Sequence, residues 1–531
     1  MKLKNVIFKI WPYLIITLLA IPTILPLFHS GFYPMHDDQQ VARLYELDNA
    51  FRNGQFPVRW VSNLGFGYGY PLFVFYPPFV YYLGEIFHLL GFSLIDSIKI
   101  VMLLGMFASG WAIYVLAKEF TGKLGALLTA VFYLYLPYHS VDLYVRGALA
   151  EFWSFVWVPL ILWAVYKKRM VLCALFLGLL MITHNLTFIA AMIFIGLFAL
   201  FSRRLKTLIF STIIAFIWTI WFWLPALYYK QFTLTDNILT AELADYKLHF
   251  VYLRQLWDSP WGYGGSIYGL WDGLSFQIGK LQILLPILSL LILYLKNKKD
   301  FIKKNINFLL FCVLLIFSIY LMTFHSIWIW NILTPLKYLQ FPWRLLIIVG
   351  LFSSILSGYI LYLIKPMGVK LIILIILIPA VIILNKNYFQ PQRYLTVTDK
   401  DYTNDYYLKW TVSKSSFEFV PKEVKTIKSD IGTTQLAIKE QEIPDKKINL
   451  IAGIADLKII EDKPNELKIN INSRGTSVFR ANIFNFPGWT GKIDGQELRL
   501  HDNNDFKLIT FFVPEGNHEI VLKFNLWQLS I

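Results

Sequence analysis

The sequence predicts a polytopic α-helical membrane protein that ends in an extracytoplasmic β-sandwich, and three observations carry that prediction. Of 531 residues, 56% are hydrophobic and only 16% charged, with a mean hydropathy of +0.53, well to the apolar side of a soluble protein. The apolar residues gather into runs, most of them near the length of about 20 residues that a helical span needs. From Asn385 onward the runs give way to polar stretches with alternating apolar residues, the strand pattern. The net charge of +15 belongs in such a chain to cytoplasmic loops and lipid headgroup contacts. No basic motif has base-contact spacing, so nucleic acid is not an expected partner. Cys173 and Cys312 both fall inside apolar runs, without a CxxC or a neighbouring His cluster.

In chain order, Lys2, Lys4 and Lys9 precede an apolar run from Ile10 to Phe28. No small-x-small cleavage site follows, so the run reads as a retained first span with its N-terminus inside. The first outer loop, 29–94, opens with Tyr33-Pro34-Met35-His36-Asp37-Asp38. Leu44, Leu47 and Phe51 then recur at helical spacing beside Arg43, Glu46 and Arg52, predicting an amphipathic helix on the membrane surface. Phe56-Pro57-Val58-Arg59-Trp60 and Gly65-Phe66-Gly67-Tyr68-Gly69-Tyr70-Pro71 form an aromatic, glycine-rich loop. Tyr76-Pro77-Pro78 starts a helix, Phe79 to Leu90, too short to span securely and carrying Glu85 and His88.

Further apolar runs lie near 97–117, 124–140, 152–166, 170–183, 186–201, 207–227, 281–295, 306–324, 344–364 and 369–384. With the first they make about eleven spans. If 79–90 stays on the outer surface, the basic loops at Lys118/Lys123, Lys167-Lys168-Arg169, Arg203-Arg204/Lys206, Lys296 to Lys304 and Lys365/Lys370 all fall inside, as the positive-inside rule asks. His36-Asp37-Asp38, Asp142 to Arg146, Glu151, His184, the loop 228–280, Trp328 to Arg344 and the C-terminus then fall outside. The division into domains is therefore 1–385, transmembrane, and 386–531, mainly β and extracytoplasmic. Within the latter, Glu466 to Ile471 and Ser477 to Phe484 read as strands. Lys507 to Val513 and Glu519 to Phe524, split by Pro514-Glu515-Gly516, read as a hairpin.

Asp37 and Asp38 stand at a membrane–water interface, where carboxylates are costly unless solvated or used. One reading makes them the N-cap of the surface helix that follows. The other makes them a working pair, set in a loop dense with aromatics, glycines and arginines. Trp60, Tyr68 and Tyr70 are placed to stack on a sugar, while Trp221, Trp223 and Trp328 suit an interfacial belt. The loop Trp257-Asp258-Ser259-Pro260-Trp261-Gly262-Tyr263-Gly264-Gly265 reads equally as a lid or as a rigid plug. No P-loop, HExxH, GxSxG or Rossmann fingerprint is present.

The acidic pair in the first outer loop, the surface helices, Tyr76-Pro77-Pro78 and the many spans together resemble the GT-C superfamily of polyprenyl-phosphate-sugar glycosyltransferases. More narrowly, His36-Asp37-Asp38, Phe56-Pro57-Val58-Arg59-Trp60, Gly67-Tyr68-Gly69-Tyr70-Pro71, Gln340-Phe341-Pro342-Trp343-Arg344 and Pro487-Gly488-Trp489 resemble bacterial YfhO-like membrane proteins. Some of these carry a "6-pyruvoyl-tetrahydropterin synthase-related" label, which does not imply pterin chemistry. Many YfhO-like chains continue into a further C-terminal helix, and this sequence stops at Ile531.

The resemblance implies an inverting transfer, in which an acceptor hydroxyl displaces polyprenyl phosphate from the anomeric carbon. Asp37 is the expected general base, with Asp38 or His36 orienting it or the acceptor. A divalent metal, Mg or Mn, held by His36 and Asp38 is left open. Arg59, Arg146, His184 and Arg344, from four segments, are candidates to stabilise the departing phosphate. For each the alternative is a local role: Arg146 pairing with Asp142 or Glu151, His184 as a satisfied packing residue. The expected partners are a lipid-linked sugar donor, membrane lipids and a cell-envelope acceptor: a glycan, teichoic-acid-type polymer or glycolipid. The rival readings are a transporter or flippase of lipid-linked sugars and a non-catalytic envelope glycan-binding scaffold. Ionisable residues clustered at the outer ends of the spans, not near their middles, favour the enzyme.

Overall fold

The structure is a computed structural model describing residues 2–296, 301–430 and 432–526. The side chains of Lys2, Lys4 and Lys9, the middle of the basic loop from Lys296 to Lys304, and Trp527 to Ile531 lie outside the described residues. The chain is a polytopic helical membrane protein with a β-rich C-terminal region. It forms two compact units, each assembled from separated segments. The first comprises Met1–Asp38, Ile95–Thr219 and Ala244–Thr396; the second comprises Gln39–Leu94, Ile220–Leu243 and Val397–Ile531. The expected boundary at 385/386 thus differs from the observed grouping, in which the C-terminal strands share a unit with most of the first outer loop.

Among the described residues, five helices are long and apolar enough to cross a membrane: Ile10–Phe28, Leu94–Leu134, Leu149–Tyr166, Pro342–Leu363 and Met367–Tyr388. Two helix pairs interrupted by short breaks, Leu205–Trp218 with Ile220–Phe232 and Ile306–Met322 with Phe324–Ile332, raise the count to seven. Part of the difference from the runs read in the sequence is that Met170–Thr183 and Asn185–Phe201 are shorter apolar helices. Another part is that two runs join in Leu94–Leu134, which is broken at Gly122 with φ +71°. Within the first unit, Pro342–Leu363 runs through the interior, with 94% of its most apolar window buried, against 11% for Met367–Tyr388, which faces outward.

The aromatic loop before Lys280 is internally bonded. Gly264 N–H donates to Gly273 O (2.9 Å) and Gly273 N–H to Gly265 O (2.8 Å). The Asp272 carboxylate accepts from Gln255 Nε2 (2.7 Å) and Ile267 N–H (2.9 Å).

In the second unit, the helix expected to lie on the membrane surface, Gln40–Arg52, is instead buried on nearly all sides, including Arg43 and Glu46. Its charges are tolerated there because they have partners. Arg43 donates to Gln39 Oε1 (2.8 Å) and lies over the Tyr76 ring (4.1 Å), while Glu46 accepts from Asn63 Nδ2 (2.7 Å).

The strands are β1 (Thr426–Lys428), β2 (Thr434–Leu436), β3 (Ile448–Ala452), β4 (Ala455–Lys463), β5 (Glu466–Ser473), β6 (Ser477–Phe484), β7 (Trp489–Ile493), β8 (Gln496–Leu498), β9 (Leu508–Val513) and β10 (Gly516–Phe524). β1 and β2 pair alone; the others form a five-stranded sheet, β4-β5-β10-β7-β8, and a three-stranded sheet, β3-β6-β9. The expected hairpin of the last two strands is therefore corrected: β9 and β10 lie in different sheets. Their alternating apolar residues are the reason, since a chain crossing between the layers buries both sets in one interior. Ile509 and Phe511 of β9 and Ile520 and Leu522 of β10 are all buried. Asp494 and Gly495, with φ +49° and +81°, make the tight β7–β8 turn.

Candidate active site

The acidic motif of the first unit forms a turn fastened by its backbone. Phe32 pairs with Leu395 through two hydrogen bonds of 3.1 and 2.8 Å. His36 N–H donates to Val145 O (3.1 Å) and Asp37 N–H to Arg146 O (2.8 Å). The His36 ring donates from Nε2 to the Tyr263 carbonyl (3.0 Å). The helix that follows is capped by Gln39 without a side-chain bond, so neither aspartate is its N-cap residue.

The segment that receives this turn begins at Pro137, which opens a short helix, Pro137–Ser140, at a position where its missing N–H costs nothing. It continues as a π-helical turn, Val141–Arg146, and ends at Gly147 with φ +62°, a left-handed conformation that suits glycine. A side chain at Gly147 would collide with Met35, so the glycine also permits the acidic turn to approach.

Asp142, Arg146, Glu151 and Arg344 meet here, together with Tyr138. Glu151, 1% exposed, is the centre: its Oε2 lies 3.0 Å from Arg146 Nη1 and 3.1 Å from Arg344 Nε, and its Oε1 accepts from Tyr138 OH (2.6 Å). Arg146 Nη1 also pairs with Asp142 Oδ1 and reaches Tyr138 OH (3.2 Å). Its guanidinium lies 4.8 Å from the centroid of the Trp343 ring. Arg344 comes from a 3₁₀ turn, Pro342–Leu345, that follows Gln340 with its φ of +63°. Arg344 Nη1 donates to Leu339 O (2.9 Å) and Gln340 Oε1 (3.3 Å).

Burial, and then the neighbouring Glu151, push Asp142 well above the usual carboxylate range. Burial works against the charge on Arg146, but the Glu151 carboxylate beside it, the largest opposing influence, holds the guanidinium protonated. His184 is pushed down to about 3 by burial, so it is neutral. Its Nδ1 accepts from Thr187 N–H (3.2 Å), capping the helix Asn185–Phe201, which is the local role left open for it.

Arg59, Trp60, Tyr68 and Tyr70 belong to the second unit. Arg59 donates to the carbonyls of Phe73 (3.4 Å) and Trp221 and lies over the Trp221 ring (5.3 Å). The aromatics expected to stack on a sugar are instead buried: Trp60 is 1%, Tyr68 3% and Tyr70 0% exposed. Trp60 packs with Trp489 (5.4 Å) and Phe524 (5.0 Å), Tyr68 bonds to Glu442 O (2.7 Å), and Tyr70 OH accepts from Phe419 N–H (3.1 Å). The physical reason is that aromatic rings of the same unit cover them, Trp489 and Phe524 on Trp60, Phe484 on Tyr68 and Phe419 on Tyr70.

No group of three or more His, Cys, Asp or Glu placed to hold a metal occurs among the described residues. His36 Nε2 is engaged at the Tyr263 carbonyl, and Nδ1 is the ring nitrogen left over. Tyr138, and Trp343 beyond its place in the Gln340 to Arg344 motif, complete the buried cluster without having been assigned a site role from the sequence. Their only signals are the proline before each, which opens a turn that aims the next residue inward.

No protein-family model matches the sequence, and no curated protein does. Solved structures similar in fold include the arabinofuranosyltransferase AftD from Mycobacteria, at 15% identity and a TM-score of 0.43, covering 73% of this chain and 27% of that one. The oligosaccharyltransferase of Archaeoglobus fulgidus is similar at 12% identity and a TM-score of 0.44, over 72% of this chain and 55% of that one. ArnT from Cupriavidus metallidurans bound to undecaprenyl phosphate is similar at 15% identity and a TM-score of 0.37, over 69% and 62%. The chain spans between 27% and 62% of the length of these structures.

Proposed function

We propose that this protein is a GT-C-type membrane glycosyltransferase that moves a sugar from a polyprenyl-phosphate donor to an acceptor hydroxyl of the cell envelope, at the outer face of the membrane. The acceptor oxygen attacks the anomeric carbon, the bond from that carbon to the phosphate oxygen breaks, and the acceptor proton passes to Asp37. The leaving polyprenyl phosphate carries away the bonding pair and gains negative charge. Arg146 and Arg344 are the groups suited to receive it. Asp38 and His36 orient the base and the acceptor.

The observation that carries this reading is one hydrogen bond with what lies behind it. The Asp37 backbone is fastened to Arg146, and the Arg146 guanidinium shares Glu151 with Arg344. A half-buried carboxylate is thereby held by its own main chain to the residue that supplies one of two converging cations. Glycosyl transfer needs both parts, a base and an anion sink.

The test is transfer of radiolabelled sugar from a polyprenyl-phosphate donor by purified protein. Asp37→Asn, which keeps size but cannot take a proton, is expected to lose about 10²- to 10⁴-fold in turnover. Turnover at the unmutated rate removes Asp37 as the base.

A further inference from the structure

Glu151 is a carboxylate placed where a phosphate would be expected. It lies 3.0 Å from Arg146 Nη1 and 3.1 Å from Arg344 Nε, and it is buried to 1% exposure. Tyr138 OH holds its other oxygen at 2.6 Å, which fixes it between the two cations. These contacts run through Nη1 of Arg146 and through Nε and Nη1 of Arg344. A guanidinium has five N–H donors, so Glu151 uses a fraction of each fork. Asp142, the fourth ionisable member, is held in its neutral form by burial and by Glu151, so it leaves the charge balance to Glu151; it has one oxygen on Arg146 and its Oδ2 is buried without a hydrogen-bond partner among the described residues.

Resting on the glycosyl-transfer reading, we propose that Glu151 is a built-in counter-ion that sets the charge of the phosphate site. It cancels one of the two arginine charges, so that the site matches the singly charged donor and releases the doubly charged product. The donor is a phosphodiester with one negative charge. Breaking its bond to the sugar leaves a phosphate monoester, which has a second pKa of about 6 and is close to a dianion at neutral pH. Two uncompensated buried arginines favour the dianion over the monoanion, and the enzyme stalls on its product. One internal carboxylate shifts that preference back toward the donor. Glu151 is on this view a positioning residue, acting through the arginines.

The experiment measures binding of geranylgeranyl phosphate and of its methyl phosphodiester to the full-length protein in detergent at pH 8. The ratio of the two affinities is compared among wild type, Glu151→Gln and Glu151→Asp. Glu151→Gln is expected to tighten the monoester at least about 10-fold relative to the diester, as removal of one buried charge beside the phosphate demands. Glu151→Asp keeps the charge and is expected to stay within about 3-fold of the wild-type ratio. A purely structural Glu151 gives the opposite, an unchanged ratio or weaker binding of both lipids in Glu151→Gln, and either result overturns the proposal while leaving the transfer reading intact. If wild-type protein binds neither lipid, the transfer reading falls, and this inference with it.

Discussion

At Glu46 burial makes a measurable demand. It is fully buried, and burial pushes its carboxyl up to about 7 against the 4.5 of a free glutamate, with the Asn63 bonds pulling the other way. A carboxyl raised in the folded state stabilises the fold while it is neutral. Its contribution is complete below pH 4.5 and is lost as the pH rises through about 7. The expected loss is on the order of 3 kcal/mol for a shift of this size. Thermal unfolding between pH 5 and 8 checks it: Glu46→Gln should flatten the decline, and a parallel decline in both proteins would sink the assignment. The sequence offered Glu46 as a solvated face residue, and only its burial beside Asn63 turns it into a titrating one. Asp37 is the reverse case, since its place beside a helix start was readable, but not the backbone bond to Arg146 that sets it apart from a cap.

At the scale of elements, the acidic turn and the π-helical turn form one clamp, and Gly147 is its closest point. Alanine there would meet Met35 and would have to adopt φ +62°. The left-handed conformation alone costs a non-glycine residue about 1–2 kcal/mol, and the collision adds to it. Gly147→Ala should lower stability by at least about 2 kcal/mol and cut transfer with it. Gly54→Ala, at φ +84° with nothing within 4 Å of the new methyl, should cost only the conformational part. Equal melting temperatures for the two variants would refute the clamp. The elements themselves were largely legible: the short helix after Pro78 and strands β5 and β6 stand where periodicity puts them. The β9–β10 pairing was not, because a Pro/Gly turn between two alternating strands has the same local signature whether it stays in one sheet or crosses to another.

For the whole molecule, the C-terminal strands complete their core with rings from outside the strands. Trp60, Phe75 and Tyr68 from the first outer loop pack on Phe486, Trp489, Phe524, Phe419 and Phe484 within the second unit. Removing a buried tryptophan by itself costs about 3–5 kcal/mol, comparable to much of a small domain's stability. A fragment of residues 397–526 is therefore expected to bind a hydrophobic dye and to unfold without a sharp transition in urea. A cooperative transition with intact sheet content would show that the strands are self-sufficient.

What the sequence by itself determined is the membrane character, the run of helices, the strand-rich end and the residue types of the site, because hydropathy and periodicity are local properties of the chain. Only the tertiary structure decided which of those residues meet. It brought Arg344, from a segment far along the chain, onto Glu151 beside the local pairing of Arg146 with Asp142, and it took Trp60, Tyr68 and Tyr70 into a core. Convergence of this kind depends on how buried charges and rings find partners at long range, and no local pattern encodes that.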